Sequence, residues 1–179
     1  MRATIRGFAL VTLLYAATPR ALRGQATPVK VDSSWMAVRA ADSTVEFQLT
    51  AALTSDNGGM NFNGAARGAL TLTVPVKWHV TLHFTNEDDN MPHSVEVTLA
   101  QKPLTATSGK PAFPRAESKH AAQGVNAGAK EDVRFTANQA GSYLIVCAVP
   151  GHEAAGMWIR LSVSATATRP WLQAVPAAP

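Results

Sequence analysis

The sequence predicts an all-β fold, an antiparallel β-sandwich of seven to eight short strands. Three observations carry that prediction. Apolar residues alternate with polar ones at a period of two in segment after segment between Trp35 and Val163. Turn signals rich in Gly, Pro and Asn separate these segments at irregular spacing. Helical periodicity is almost absent, and short alternating strands of this kind bury one face each by packing two sheets together.

The first 26 residues stand apart from that pattern. Arg2 and Arg6 form a positive start, and Phe8 to Ala17 is an apolar run of signal-peptide length. Gly24-Gln-Ala26 places small residues at both recognition positions of a cleavage site. A membrane-spanning helix needs roughly 20 apolar residues, more than this run supplies. Residues 1–26 are therefore read as a signal peptide. Arg20 and Arg23 are unusual near a cut, which leaves an uncleaved, membrane-tethered form as the alternative. Localisation is expected to be periplasmic or otherwise extracytoplasmic.

Processing changes the charge. The whole chain of 179 residues carries 16 Lys+Arg against 12 Asp+Glu, and four of the arginines precede the cut. The mature chain is then balanced at 12 against 12. No basic patch interleaved with aromatics survives, so nucleic acid is not an expected partner.

Residues 27–34 read as a leader and residues 35–164 as one domain with its own core. Val45-Glu-Phe-Gln-Leu49 alternates cleanly, with Val45, Phe47 and Leu49 on one face. Asp56-Asn-Gly-Gly59 is a turn, followed by Met60-Asn-Phe-Asn-Gly64. Ala69 to Val74 is a strand that Pro75 punctuates. Trp78 to Thr85 alternates through Trp78, Val80, Leu82 and Phe84. Asn86-Glu-Asp-Asp-Asn90 reads as a polar loop, its acidic triplet a solvated turn. Ser94 to Leu99 is the next strand, with Val95, Val97 and Leu99 together. Residues 101–130, rich in Pro, Gly, Ala and Lys, read as a long excursion with a short helix near Ala116 to Gln123. Val133 to Ala137, Tyr143 to Val146 and Trp158 to Val163 complete the strands. Residues 165–179 read as a flexible Ala/Pro tail, in which Trp171 and Leu172 are the residues able to dock.

The chemistry lies between the last two strands. Tyr143 to Val146 delivers the only cysteine, Cys147, at its end. Pro150-Gly151 turns the chain, His152 follows, and Met157 stands just before Trp158. Cys147, His152 and Met157 are thus five residues apart each, on one loop between two strands. A single cysteine in an exported chain forms no internal disulfide, so it is a ligand, a reactive thiol or an intermolecular bridge. Taken alone, Cys147 would be a buried apolar residue, Met157 core filler and His152 a surface turn residue. Taken together they are a soft thiolate, an imidazole and a thioether able to close on one ion. His93, in Met91-Pro-His-Ser-Val95, is the candidate fourth ligand. Two imidazoles and a thiolate with a weak axial thioether are the ligand set of a blue-copper electron-transfer site.

Pro92 and Pro150 restrict the backbone beside two of these ligands. Ser94 is placed to hydrogen-bond across to the Cys147 loop. His79 and His83 are spaced i, i+4. On a strand they share a face but lie about 13 Å apart at ~3.3 Å per residue, too far to share an ion. His120 has no evident partner.

These residues resemble the cupredoxins, and among them the sulfocyanin-like blue copper proteins. The resemblance is carried by Met60-Asn-Phe-Asn-Gly64, Leu72-Thr-Val-Pro-Val-Lys-Trp78, Phe84-Thr-Asn86, Met91-Pro-His-Ser94 and Val146-Cys-Ala-Val-Pro-Gly-His-Glu-Ala-Ala-Gly-Met-Trp158. It spans Phe47 to Val163, and the last motif is the most specific. It implies a Greek-key sandwich holding one type 1 copper, with His93, Cys147 and His152 in the plane and Met157 axial. It also implies a one-electron carrier outside the cytoplasm. Several relatives have a longer N-terminal anchor than the short apolar run here.

Three functions were open to such a site. The expected one is a monomeric shuttle between respiratory-chain partners of cytochrome or terminal-oxidase type. These partners would dock weakly near His152 on a patch of Val149, Pro150, Ala154, Ala155, Met157 and Trp158. A copper oxidase or nitrite reductase needs a second copper centre, and no His-x-His pair or histidine flanks Cys147. No catalytic residue is therefore expected. A copper carrier without fast redox cycling would use the same four ligands and is the alternative; the five scattered methionines form no storage cluster.

Overall fold

The structure is a computed structural model that describes residues 29–100 and 110–178. The signal-peptide reading of residues 1–26 lies outside those residues. Among the described residues nine strands form, because each alternating segment has one face to bury. They are β1 (Met36–Arg39), β2 (Thr44–Ala51), β3 (Leu70–Pro75), β4 (His79–Asn86), β5 (Glu96–Leu99), β6 (Lys130–Thr136), β7 (Gly141–Val146), β8 (Trp158–Ser164) and β9 (Trp171–Ala174). They build two sheets, one in the order β1-β2-β4-β6 and the other β5-β7-β8-β3-β9. The predicted sandwich is therefore present, with mixed sheets: β2 runs parallel to β4, and β3 parallel to β8. The cause is topological. After β2 the chain crosses to the second sheet for β3 and returns, so β2 and β4 enter from the same end.

The core is the set of inward faces that the alternation picks out. Val45, Phe47 and Leu49 of β2 and Val80, Leu82 and Phe84 of β4 face Leu70, Leu72 and Val74 of β3 and Ile159 and Leu161 of β8, all buried. Burying each such side chain contributes about 1.5–3 kcal/mol. Val95 just before β5 and Val97 within it are buried as expected, but Leu99 ends the strand 60% exposed.

Two segments differ from their sequence reading. The expected helix near Ala116 to Gln123 does not form; residues 112–128 run through turns instead. Phe113 explains why that stretch is nevertheless ordered: its ring stacks on Phe135 at 5.3 Å and against Tyr143 at 4.7 Å between centroids. The Ala/Pro segment read as a flexible tail instead supplies β9, which pairs antiparallel with β3, Leu172 opposite Leu72. Val175 and Ala178 continue the attachment by donating N–H bonds to the carbonyls of Ala69 and Arg67. At the other terminus, Val29 and Val31 of the leader pack half-buried against the core.

Candidate metal centre

Three loops converge at one end of the sandwich: 87–95 after β4, 119–129 before β6, and 147–157 between β7 and β8. The last is a tightly wound connection. The Ala155 N–H donates to the Gly151 carbonyl (2.9 Å) and the Gly156 N–H to that of Glu153 (2.9 Å). Gly156 is required here. Its φ is +104°, and a Cβ would sit 2.8 Å from Cγ of Arg67. Arg67 in turn pins the loop from outside, its guanidinium 3.4 Å from the Ala155 carbonyl.

Two backbone bonds tie the three ligand candidates on that loop together. The Cys147 N–H donates to the Met157 carbonyl (3.1 Å), and the Met157 N–H donates to the His152 carbonyl (2.9 Å). Cys147 follows the last residue of β7 and Met157 precedes the first of β8. Pairing of Val146 with Trp158 in the sheet therefore fixes their separation. Both side chains are fully buried.

His93 arrives on the loop that crosses from β4 to β5, fully buried. Its Nδ1 lies 3.7 Å from Cys147 Sγ and 3.2 Å from Nδ1 of His152, which is itself 3.4 Å from the sulfur. Metal–nitrogen bonds of about 2.0 Å and a metal–sulfur bond of about 2.3 Å, set trigonally, place donors about 3.5–3.7 Å apart. The observed triangle, with edges of 3.2, 3.4 and 3.7 Å, comes within about 0.3 Å of those dimensions. The donor set of one thiol and two imidazoles, closed off from water on the Cys147 and His93 sides, fits a soft, single metal ion.

The electrostatics prepare the site for a cation. Burial pushes the Cys147 thiol up, opposed by N–H donors of Ser94 and Val149 and by the Ser94 hydroxyl. Burial pushes both imidazoles down. For His93 the Asp88 carboxylate opposes the shift, and for His152 the charge of His93 adds to it. The rings are thus neutral with lone pairs free at pH 7, and a bound cation supplies the compensation that makes the thiolate favourable.

Ser94 acts as read from the sequence. Its N–H donates to Cys147 Sγ (3.4 Å), and its hydroxyl oxygen accepts the Ala148 N–H (3.1 Å). The excursion before β6, uninformative as sequence, closes the site from behind. His93 and Val125 exchange two backbone bonds, His93 N–H to the Val125 carbonyl (3.2 Å) and Val125 N–H to that of His93 (2.8 Å). Gly124 makes this approach possible. Its φ is +72°, and a Cβ would meet the His93 carbonyl oxygen at 2.9 Å and Val149 at 3.0 Å.

The acidic triplet is not simply a solvated turn. Glu87 and Asp89 are exposed, but Asp88 points inward and is 8% exposed. Its Oδ2 accepts from Nε2 of His93 at 3.2 Å. The sequence signal for it was slight: an acid five residues before a ligand histidine, inside an Asn/Asp-rich turn. His79 and His83 do share an outward face as expected. His83 bonds Asp132 (2.8 Å) and His79 bonds Thr136 (3.1 Å), away from the centre. The apolar patch is smaller than predicted. Val149 and Ala155 are half-buried and Pro150 and Ala154 exposed, but Met157 and Trp158 are buried. Trp158 lies on the far side of the second sheet, beneath Arg160.

Comparison with known proteins adds the following. The family model of the sulfocyanin (SoxE) domain matches residues 32–174. A sulfocyanin of Sulfolobus acidocaldarius is 28% identical over 137 residues, 73% of this chain and 68% of the relative. Among solved structures, a crystal structure of a rusticyanin variant is 22% identical. It covers 73% of this chain and 87% of that one, with a TM-score of 0.51. Reduced rusticyanin, solved by NMR, is 23% identical over 68% of this chain and 77% of its own, with a TM-score of 0.50. At these identities the rusticyanin likeness is one of fold.

Proposed function

The chain belongs to the sulfocyanin family, and from that premise we propose that it is a one-electron carrier, not an enzyme, working between respiratory-chain partners outside the cytoplasm. Copper is its cofactor. In this reading His93, Cys147, His152 and Met157 would hold the ion. The observation that carries the proposal is the triangle of one sulfur and two Nδ1 atoms, buried at Cys147 and His93 and half-buried at His152, each within 4.8 Å of the others. Bound there, copper supplies one-electron exchange between its cupric and cuprous states.

The chain's own contribution is to hold still. Cys147 and Met157 are locked by strand pairing, His93 by the Val125 bridge, and Ser94 by bonds to the Cys147 loop. A donor set that moves little between oxidation states leaves little to reorganise on transfer. His152 is the half-buried ligand, and the exposed Pro150, Gly151 and Ala154 surround it. This is where a cytochrome or terminal-oxidase partner would dock, through a small surface suited to a brief encounter. Among the described residues no helix is long and apolar enough to cross a membrane.

The test is optical. The purified chain, given one equivalent of Cu(II), should develop an intense visible thiolate-to-copper band that Cys147→Ser abolishes. A colourless product would sink the reading.

A further inference from the structure

Nε2 of His93, the ring atom away from the metal triangle, meets a carboxylate that is almost wholly removed from water. The two oxygens of Asp88 have separate duties. Oδ1 accepts the N–H groups of Asn90 (2.8 Å) and Met91 (3.0 Å), shaping the turn that leads to the ligand. Oδ2 faces His93 at 3.2 Å. Asp88 is itself fixed from behind. Its N–H donates to Oδ1 of Asn86 (2.9 Å), while the Asn86 amide donates to the carbonyls of Met91 (2.9 Å) and Val125 (2.8 Å). An ionised carboxylate only accepts, so the proton of the neutral His93 ring sits on Nε2 and Nδ1 presents its lone pair to the centre.

We propose that Asp88 is a positioning residue for the copper centre: Oδ2 fixes the tautomer and orientation of His93, and the buried negative charge favours the cupric state. The proposal rests on the reading of His93 as a copper ligand. Its logic is that of a ligating histidine whose other nitrogen is held by a carboxylate, which raises ligand basicity and sets the ring angle. The division of labour between the two oxygens separates this role from a merely structural one. Asp88→Asn can keep Oδ1 in place for Asn90 and Met91, but it puts an N–H donor where Oδ2 stood. The His93 Nε2 must then accept, and the ring proton moves to Nδ1, where it competes with the metal.

Two measurements on the full chain test this. In the copper-free protein, ¹⁵N NMR should show His93 as the Nε2–H tautomer, and as Nδ1–H in Asp88→Asn. In the copper-loaded protein, Asp88→Asn should retain the visible band. Its Cu(II) affinity should fall about ten- to a hundredfold, the usual consequence of losing such a partner. Cu(I) affinity should fall less. A roughly tenfold change in the Cu(II)/Cu(I) affinity ratio raises the reduction potential by about 59 mV. An Nδ1–H ring in the native chain, or an unmoved potential in the variant, overturns the proposal. Should the variant fail to fold, the native tautomer decides alone. Absence of a thiolate band in the native protein would instead overturn the copper reading, and the tautomer result would still report on the Asp88–His93 bond.

Discussion

The two histidines of the centre are held in opposite ways. His93 is fully buried, bonded by backbone to Val125 on one side and through Nε2 to a buried carboxylate on the other. His152 is half-buried, sits beyond a Pro-Gly turn, and takes part in no ion pair among the described residues. The difference separates two requirements of an electron carrier that one ligand could not meet together. A ligand that sets the electronic character of the ion needs a dry, fixed environment, because charge and hydrogen bonds count for most where water is excluded. A ligand that passes an electron to a partner must reach the surface. In the proposed function the sandwich would meet both by drawing His93 from a loop sealed by the 119–129 excursion and His152 from a loop that faces outward.

The largest effect should come from forcing the sealed side open. Gly124→Ala places a Cβ 2.9–3.0 Å from His93 backbone atoms and from Val149, at a φ that L-residues avoid. Left-handed backbone costs roughly 1–2 kcal/mol and overpacking about 1–3 kcal/mol more, so chemical denaturation should show a loss of about 2–5 kcal/mol. The potential should shift as well, because the bond pair to His93 must lengthen. A variant as stable as the parent would mean that the excursion does not clamp His93.

Acid should act on both rings, to a smaller extent. Burial holds His93 and His152 below the ordinary histidine value of 6.5. Above that value both are neutral in the folded and the unfolded chain, and neither gives a pH dependence. As pH falls below 6.5 the unfolded chain takes up protons that the folded one resists, so stability of the copper-free protein declines. The slope is up to about 1.4 kcal/mol per pH unit for each proton taken up. Asp88 acts in a separate window: its carboxyl, held below 3.8, contributes stability at higher pH that is lost as pH falls through its folded value. Thermal melts from pH 7 to 5 should show the histidine slope, and His152→Gln should reduce it without abolishing it. A slope that vanishes in that variant would show that His93 is not held neutral by its surroundings.

The same contrast explains what could be read in the sequence. Cys147, His152 and Met157 were legible because their spacing is local and the alternation on either side names the strands that fix it. Val45 to Leu49 and Trp78 to Phe84 were legible for the same reason: a period of two reports which face is buried. Asp88 was not. A run of acids has one appearance whether its middle member faces water or a ligand, and what turns Asp88 inward is the Asn86 and Val125 network formed 39 residues apart in sequence. Gly124 and Val125 were hidden likewise, since a close approach to His93 is written in the fold and not in any local pattern. Trp171 and Leu172 escaped assignment to a strand because four residues among prolines and alanines carry too short an alternation.

The smallest effect on the protein itself should come from the exposed side. Ala154 lies in the open beside His152, and its replacement by Glu touches no packed neighbour of the core. Such surface changes stay within about 0.5 kcal/mol of the parent stability, and the visible band should be unaltered. The electron-transfer rate to a partner should nevertheless fall, because a charge at the centre of a small apolar contact must be desolvated in every encounter. Stopped-flow mixing with an oxidised cytochrome reads the rate directly. If it is unchanged while Gly124→Ala disturbs the potential, then His93 sets the electronic character of the centre as argued, but His152 is not the point of exit.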